Sequence, residues 1–338
     1  MTAPAVNPAS CVNEHSLGTP VVTAPVFNGP ADGVSLLSAS VIICAYTEER
    51  WDDLSAALGS VRAQRYPAQQ VIVVIDHNDD LLARARAAFP DATVVSNTGR
   101  SGLSGARNTG VALATGDVVA FLDDDAQADP EWLELLLAPY GDPTVHGVGG
   151  AALPRWPATG RPRWFPPEFD WVVGCSYIGL PTGTAEVRNP IGAAMSIRRS
   201  AFDQVGGFSD GLGRVGSVPL GCEETEFGIR LRRDVPAAVI LYEPAAIVAH
   251  RVTPVRATWR YFRRRCYAEG LSKAVVARRV GKESALAAER IYVTRALPRA
   301  VARDLRHPAR WSRVGTVVLG LAFTAAGYAR GSVAGNPS

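Results

Sequence analysis

Three consecutive aspartates, Asp123-Asp124-Asp125, close an apolar run at residues 118–122. Adjacent carboxylates repel one another and are costly unless a cation neutralises them. In extended chain the side chains i and i+2 point the same way, so Asp123 and Asp125 can face one ligand. Hard oxygen donors suit Mg²⁺ or Mn²⁺, ions that bridge protein carboxylates and substrate phosphates. An acidic turn of solvated carboxylates is the alternative. A second group, Glu223, Glu224 and Glu226, opens a helical pattern. Carboxylates there are either partners of the helix dipole or, beside a cleft, a general base toward a hydroxyl. His250 ends the apolar stretch 245–249; it is either structural or an imidazole ligand of the same cation. The segment GLSGARNTG (102–110) is placed like a phosphate loop, with Arg107 in reach of a diphosphate. It matches neither GxGxxG nor GxxxxGK[ST], which excludes the dinucleotide fingerprint and the P-loop. A purely structural loop is the other reading.

These groups must be held by regular elements, and the pattern supplies them. Short β-branched runs at 40–44, 71–75, 93–95 and 118–122 predict strands. Helical spacing follows at 51–64, 80–89 and 104–115, the last behind Ser104 as a cap, and Pro130 opens a further helix through Leu137. Strands alternating with helices imply βαβ units and a mostly parallel sheet. Ligands of such sheets sit beyond the carboxyl ends of the strands. Tyr46 and Glu48, Asp76, and the aspartate triplet stand at three of those ends and should converge on one crevice. Residues 154–171 hold five prolines and three tryptophans and read as a loop. Residues 188–250 read as a second, mixed half of the sheet. Residues 1–38, rich in Pro, Ala, Gly, Ser, Thr and Asn without periodicity, read as a disordered leader with no secretory signal.

Composition bounds the function. With 47% hydrophobic and 20% charged residues among 338, the chain is neither wholly disordered nor short of core. No run of 18 or more residues is purely apolar, which excludes a polytopic membrane protein. Five widely spaced cysteines form neither a disulfide framework nor a zinc site, as expected in a reducing compartment. The net charge of +3 conceals an asymmetry. Residues 251–338 carry 18 Lys and Arg against 4 Asp and Glu, a balance of +14, and the rest of the chain 17 against 28, a balance of −11. The two parts should therefore face different partners. Nucleic acid is not favoured, because no matching module is present.

The motifs SVIICAYTE (40–48), VIVVIDHND (71–79), GLSGARNTGVALATGDVVAFLDDD (102–125), NPIGAAMSIRRSAFDQVGGF (189–208), GCEETEFGIRLRR (221–233) and AHRV around His250, in this order and spacing, resemble the family 2 inverting glycosyltransferases. The resemblance covers residues 39–275 and implies a GT-A fold: an α/β, Rossmann-like, mostly parallel sheet flanked by helices, here as a domain at 39–257. A basic helical C-terminal region follows at 258–338. The chain also looks similar to bacterial proteins grouped with glycosyl-dolichyl phosphate glucuronosyltransferases, which implies a lipid-linked acceptor.

The resemblance implies a role for each matching position. Ala45, Tyr46, Glu48 and Asp76 fall where the family binds the nucleoside, and Arg107 lines the nucleotide. Asp123 and Asp125 match the DxD motif, with Asp125 as direct ligand of a Mg²⁺ or Mn²⁺ ion; Asp123 and Asp124 join the donor-binding set. Gly192 to Met195 form the floor under the sugars. His250 matches a position that touches the metal or the diphosphate. Glu223-Glu224 match the family's Glu-Asp pair, whose second member is the usual base; here that position is Glu224, a methylene longer than Asp, and Glu223 remains a candidate. The implied reaction is a single displacement from a nucleotide sugar, expected to be a UDP-sugar, onto an acceptor hydroxyl. A nucleotide-sugar-binding protein without transfer, and a sugar nucleotidyltransferase, are the alternatives.

The basic region adds two expectations. Arg263, Arg264, Arg265, Tyr267 and Lys273 could cap a diphosphate or a phosphorylated lipid acceptor. Residues 314–329, uncharged between Arg313 and Arg330, number 16. At about 1.5 Å rise they span about 24 Å against a hydrocarbon core of about 30 Å. They suit an interfacial anchor or a buried core helix better than a span. The combined expectation is a cytoplasmic enzyme held peripherally at the inner face of an anionic membrane.

Overall fold

The computed structural model describes residues 36–210, 212–213 and 221–333. Of the leader expected at 1–38, residues 1–35 lie outside the described residues. Leu36 and Leu37 pack against the core, and Ser38 bonds Asp117 through both its N–H and its Oγ.

Nine strands form one sheet: β1 (Ala39–Ala45), β2 (Gln70–Ile75), β3 (Thr93–Ser96), β4 (Val118–Asp123), β5 (Ala126–Ala128), β6 (Val145–Arg155), β7 (Ala185–Glu186), β8 (Ala194–Arg198) and β9 (Val239–Arg251). The order is β3-β2-β1-β4-β8-β6-β9-β5, with β7 also on β9. The first four strands pair in parallel, as the βαβ pattern predicts. The second half is mixed: β8 is antiparallel to β4 and to β6, β6 and β9 are parallel, and β5 and β7 run antiparallel to β9. The helices are α1 (Trp51–Arg62), α2 (Asp79–Ala88), α3 (Leu103–Leu113), α4 (Trp132–Leu137), α5 (Arg199–Val205), α6 (Glu223–Asp234), α7 (Trp259–Val280), α8 (Lys282–Ile291), α9 (Leu297–Leu305) and α10 (Trp311–Val333).

Both faces of the sheet are covered, so its strands are apolar throughout rather than alternating. Val41, Ile43, Val73 and Ile75 meet Leu54, Leu58, Trp132 and Leu136 on one face. Ile42, Ile72, Val74 and Phe121 meet Ala106, Phe202 and Phe227 on the other. Glycines decide how closely α3 can lie: a Cβ on Gly110 would stand 2.7 Å from the Ile42 side chain, so the glycine-rich segment brings α3 hard against β1.

Strand β6 is not legible from propensity, because its segment HGVGGAAL is glycine-rich. The glycines are there for close approach: a Cβ on Gly150 would meet the Ala246 carbonyl oxygen of β9 at 2.2 Å. The loop expected at 154–171 is partly regular. Strand β6 runs on to Arg155, and a 3-10 helix covers Pro167–Val173.

The basic C-terminal helices pack on this body rather than trailing from it. Phe165, Phe169, Phe262, Leu297 and Val317 form one cluster, with Trp156 and Trp164 against it. Trp164 packs edge-on to Phe262 and Trp259, so it is a packed tryptophan and not an exposed platform. Helix α10 lies along α7 by backbone contact: a Cβ on Gly327 would come 2.0 Å from the Tyr267 carbonyl oxygen, and one on Gly270 2.0 Å from that of Thr324. Among the described residues no helix is long and apolar enough to cross a membrane.

Candidate functional site

The strand ends converge. Cys44 of β1 pairs with Asp123 of β4, and Asp76 N–H donates to the Ala45 carbonyl at 2.8 Å. These contacts gather Ala45, Tyr46, Asp76 and Asp123 at the carboxyl edge of the sheet. The chain then turns through Asp124 and Asp125 into β5, whose Ala126 pairs with His250 of β9. Arg251 N–H donates to the Asp125 carbonyl at 2.8 Å. This short antiparallel ladder carries His250 across 125 residues of sequence to the aspartates.

Asp123, Asp125 and His250 present one ligand atom each, all within 4.8 Å of one another. His250 Nε2 lies 3.2 Å from Asp125 Oδ1 and 3.8 Å from Asp123 Oδ2. Burial opposes the imidazolium, but Asp125, Cys175 and Asp123 together hold His250 well above its ordinary value. Burial likewise opposes ionisation of Asp125, and His250 and Arg256 hold it well below the usual carboxylate range. Asp124 lacks enough compensation: burial and then Asp125 push it up to about 7. Among the described residues the buried Oδ2 of Asp124 has no hydrogen-bond partner, and that of Asp125 has only ion-pair neighbours. Two hard oxygens and one imidazole nitrogen, with an orphaned oxygen beside them, fit a divalent cation.

Two arginines stand at the triad that the sequence reading did not single out. Arg50 Nη1 lies 2.8 Å from Asp124 Oδ1 and 3.3 Å from Asp125 Oδ2, and Arg256 Nη2 lies 3.2 Å from Asp125 Oδ2. Arg50 ends the same strand-end segment as Tyr46, and Arg256 follows His250 by six residues; proximity in sequence was the available cue. Glu48 goes the other way. Thr47 caps a 3-10 turn at Glu48–Arg50, which sends Glu48 to solvent, away from the cavity that Arg50 lines.

Arg107, expected to reach a diphosphate, lines the cavity with its guanidinium already engaged by the protein. It is 2% exposed, its Nη1 lies 2.7 Å from Glu223 Oε1, and its Nη2 donates to the Gly192 carbonyl at 3.0 Å and lies 3.5 Å from Asp123 Oδ1. Asp76 is fixed by Asn97 Nδ2 at 2.7 Å and by the Gly102 N–H at 2.9 Å; burial opposes its charge, yet these donors and His77 hold it below its ordinary value.

Helix α6 begins after Cys222, which sits in the left-handed region at φ 74 and turns the chain so that Glu223 and Glu224 form the first helical turn. Glu223 is taken by Arg107. Among the described residues Glu224 has no such partner, and burial, followed by the Glu223 carboxylate, pushes it up to about 8. Glu226 is bound by Arg230 and Ser209 and is structural.

One cavity of about 670 Å³ is lined by Ala45, Tyr46, Asp76, Arg107, all three aspartates, Gly192, Glu223, Glu224 and His250. Of the expected site residues, Glu48 is not brought to it, nor are Ala194 and Met195 of the expected sugar floor, which are buried in the core, nor Arg263, Arg264 and Tyr267 of the basic region. The 3-10 helix contributes Trp171, and α7, α8 and α10 contribute the far wall. Cys175 Sγ stands 3.7 Å from His250 Nδ1 and faces the ring from behind.

The profile of glycosyl transferase family 2 matches residues 40–206, the stretch from β1 to α5 that builds the donor side of this cavity. The chain is 36% identical over 244 residues to the glucosyl-dolichyl phosphate glucuronosyltransferase of Haloferax volcanii, covering 71% of this chain and 77% of that protein. It is 34% identical over 193 residues to the pre-mycofactocin glycosyltransferase of Mycobacterium tuberculosis, covering 54% of this chain and 37% of that protein. Among solved structures, a mannosyltransferase of Pyrobaculum calidifontis in complex with GDP-Man and Mn²⁺ shares the fold, with a TM-score of 0.56 at 18% identity over 88% of this chain and 90% of that one. With strand-end carboxylates, a mixed GT-A sheet and more than a third identity across most of a full-length relative, the chain belongs to glycosyltransferase family 2.

Proposed function

We propose that this glycosyltransferase moves a sugar from a nucleoside diphosphate to a hydroxyl of a lipid-linked acceptor, with inversion, and that Glu224 is the base. The observation that carries the reading is that Glu224, a carboxylate that burial keeps protonated near neutral pH, opens on the same cavity as the Asp123–Asp125–His250 cluster. A general base works best when its pKa lies near the operating pH.

Each residue then has a task. Asp76 and Tyr46 face the nucleoside. Asp123, Asp125 and His250 would hold a divalent cation, Mn²⁺ or Mg²⁺, which when bound neutralises the charge growing on the departing diphosphate. Arg50 and Arg256 add positive charge at the same end and are the side chains that meet the phosphates in place of Arg107. Arg107 keeps Glu223 occupied, leaving Glu224 to take the acceptor proton. Attack from the face opposite the leaving group inverts the anomeric centre in one step.

The lipid-linked acceptor is supported by the activity of the Haloferax relative, a glucosyl-dolichyl phosphate glucuronosyltransferase, and by an apolar surface on the C-terminal helices. Trp311, Val318 and Leu319 of α10 are 58%, 59% and 46% exposed, and Arg295, Arg299, Arg306 and Arg310 are exposed on the preceding segments. Apolar side chains beside arginines suit the interface of an anionic membrane.

The test is a calorimetric titration with UDP, and in a second arm GDP, with and without Mn²⁺. Nucleotide binding that needs the metal and is lost in Asp125→Ala supports the donor site. No binding of either nucleotide with metal present sinks it.

A further inference from the structure

The cavity does not end at Glu224. Its far end is walled by α7 and α8 and holds a chain of ion pairs. Arg188 Nη1 lies 2.6 Å from Glu289 Oε2; Lys273 Nζ lies 2.6 Å from Glu289 Oε1 and 3.5 Å from Glu269 Oε1; Arg265 Nη1 lies 2.7 Å from Glu269 Oε2. Arg263 and Arg264, their neighbours in sequence, are exposed and take no part. Burial opposes ionisation of both carboxylates, but Arg265 and Lys273 bring Glu269 down to about 2, and Lys273 and Arg188 do the same for Glu289. Among the described residues three cations thus face two ionised carboxylates, and one positive charge is left over at this end while Glu224, on which Lys273 also acts, is protonated. An uncompensated buried charge is costly. An ammonium has three donors and a guanidinium five, so ion-paired side chains keep donors for one more anion.

The same cavity also has an apolar lining that reaches the surface. Ala287, Val293 and Leu297 form it, with Ile291 and Leu321, which are 58% and 38% exposed. A polar head held at the cations would therefore have a path for a hydrocarbon chain to the surface that carries Val318 and Leu319.

We propose that Arg188, Arg265 and Lys273 form the acceptor's phosphate subsite, selective for the monoanionic phosphodiester that joins a sugar to a polyprenyl chain, with the chain leaving past Ile291 and Leu321. The single surplus charge matches a phosphodiester and falls short of a diphosphate. This deepens the transferase reading and rests on it: the sugar on that phosphate offers its hydroxyl to Glu224.

The full-length chain is titrated with four probes: farnesyl glucosyl phosphodiester, farnesyl glucosyl diphosphate, farnesyl glucoside without phosphate, and methyl glucosyl phosphate without the prenyl chain. The phosphodiester is expected to bind tightest, the neutral glucoside at least tenfold weaker, and methyl glucosyl phosphate saturably but at least tenfold weaker. Lys273→Met should cut the preference for phosphodiester over glucoside below twofold, and Glu289→Gln should move preference toward the diphosphate. Equal affinity for glucoside and phosphodiester, or an undiminished preference in Lys273→Met, overturns the subsite. Equal affinity for the methyl and farnesyl phosphodiesters overturns its lipid part. Where Lys273→Met fails to fold, Arg265→Gln is read by the same criterion. UDP and GDP titrations with Mn²⁺ on the same preparations separate the two failures. Nucleotide binding without phosphate discrimination removes only the subsite, and no nucleotide binding by the wild type removes the transferase reading.

Discussion

Arg107 and Glu223 form a buried ion pair, 2.7 Å from Nη1 to Oε1, and the other arm of the same guanidinium reaches toward Asp123. One side chain therefore connects the first turn of α6, which carries the proposed base, to the end of β4, which carries the proposed metal cluster. If Arg107 acts by position, a lysine cannot replace its fork. Arg107→Lys is expected to lower kcat by on the order of 10²-fold, as for a misplaced catalytic group, while the Kd for nucleotide changes less than threefold. A nucleotide Kd that rises with the fall in kcat would instead return Arg107 to the diphosphate.

Glu224 sets a pH dependence with a definite sign. As the proposed base it works deprotonated, and burial pushes it up to about 8 in the free protein. The value of kcat/KM should rise with unit slope toward pH 8 and level off above it, and Glu224→Gln should abolish most transfer at every pH. Stability runs opposite. A carboxyl raised in the folded state leaves folding unpenalised below its unfolded value, and stability is lost as pH climbs through about 8. Glu224→Gln is thus expected to melt higher than wild type at pH 9 and equally at pH 5, measured by calorimetry. A variant that is inactive and no more stable at pH 9 would place the strained charge elsewhere.

The contact of α7 with α10 has no room for a side chain at Gly327. Gly327→Leu must part the helices or bend them, an overpacking cost of about 1–3 kcal/mol. A lower Tm is expected, with metal-dependent nucleotide binding retained, because β1, β4 and β9 do not touch that seam. An unchanged Tm would show that the helices do not pack this way.

Exposed apolar residues on α10 give a membrane prediction that folding does not confound. Val318→Asp with Leu319→Asp alters only surface, where substitutions usually stay within about 0.5 kcal/mol. The wild type should sediment with vesicles containing anionic lipid and the double variant should not. Equal sedimentation of the two, or none by the wild type, removes the interfacial role.

The strands of the first half were readable because both of their faces are buried, which makes 40–44, 71–75 and 118–122 continuous apolar runs. Strand β6 was not, because its glycines serve contact with β9 and weaken the local signal. Asp123, Asp125 and His250 were readable as chemistry, yet their meeting depends on the pairing of Ala126 with His250, a non-local event that spacing does not encode. Arg107 shows the same limit from the other side. Sequence announces a cation, while its partner Glu223 lies 116 positions away and decides what the cation does.

Leu321 and Thr324 of α10 line the same cavity as the aspartates. The last described helix is therefore a wall of the reaction vessel, and a chain ending before it would leave the vessel open on the acceptor side. On the proposed reaction, such a truncated enzyme would still hold the nucleotide sugar but admit water on the acceptor side, and hydrolysis of the donor would compete with transfer.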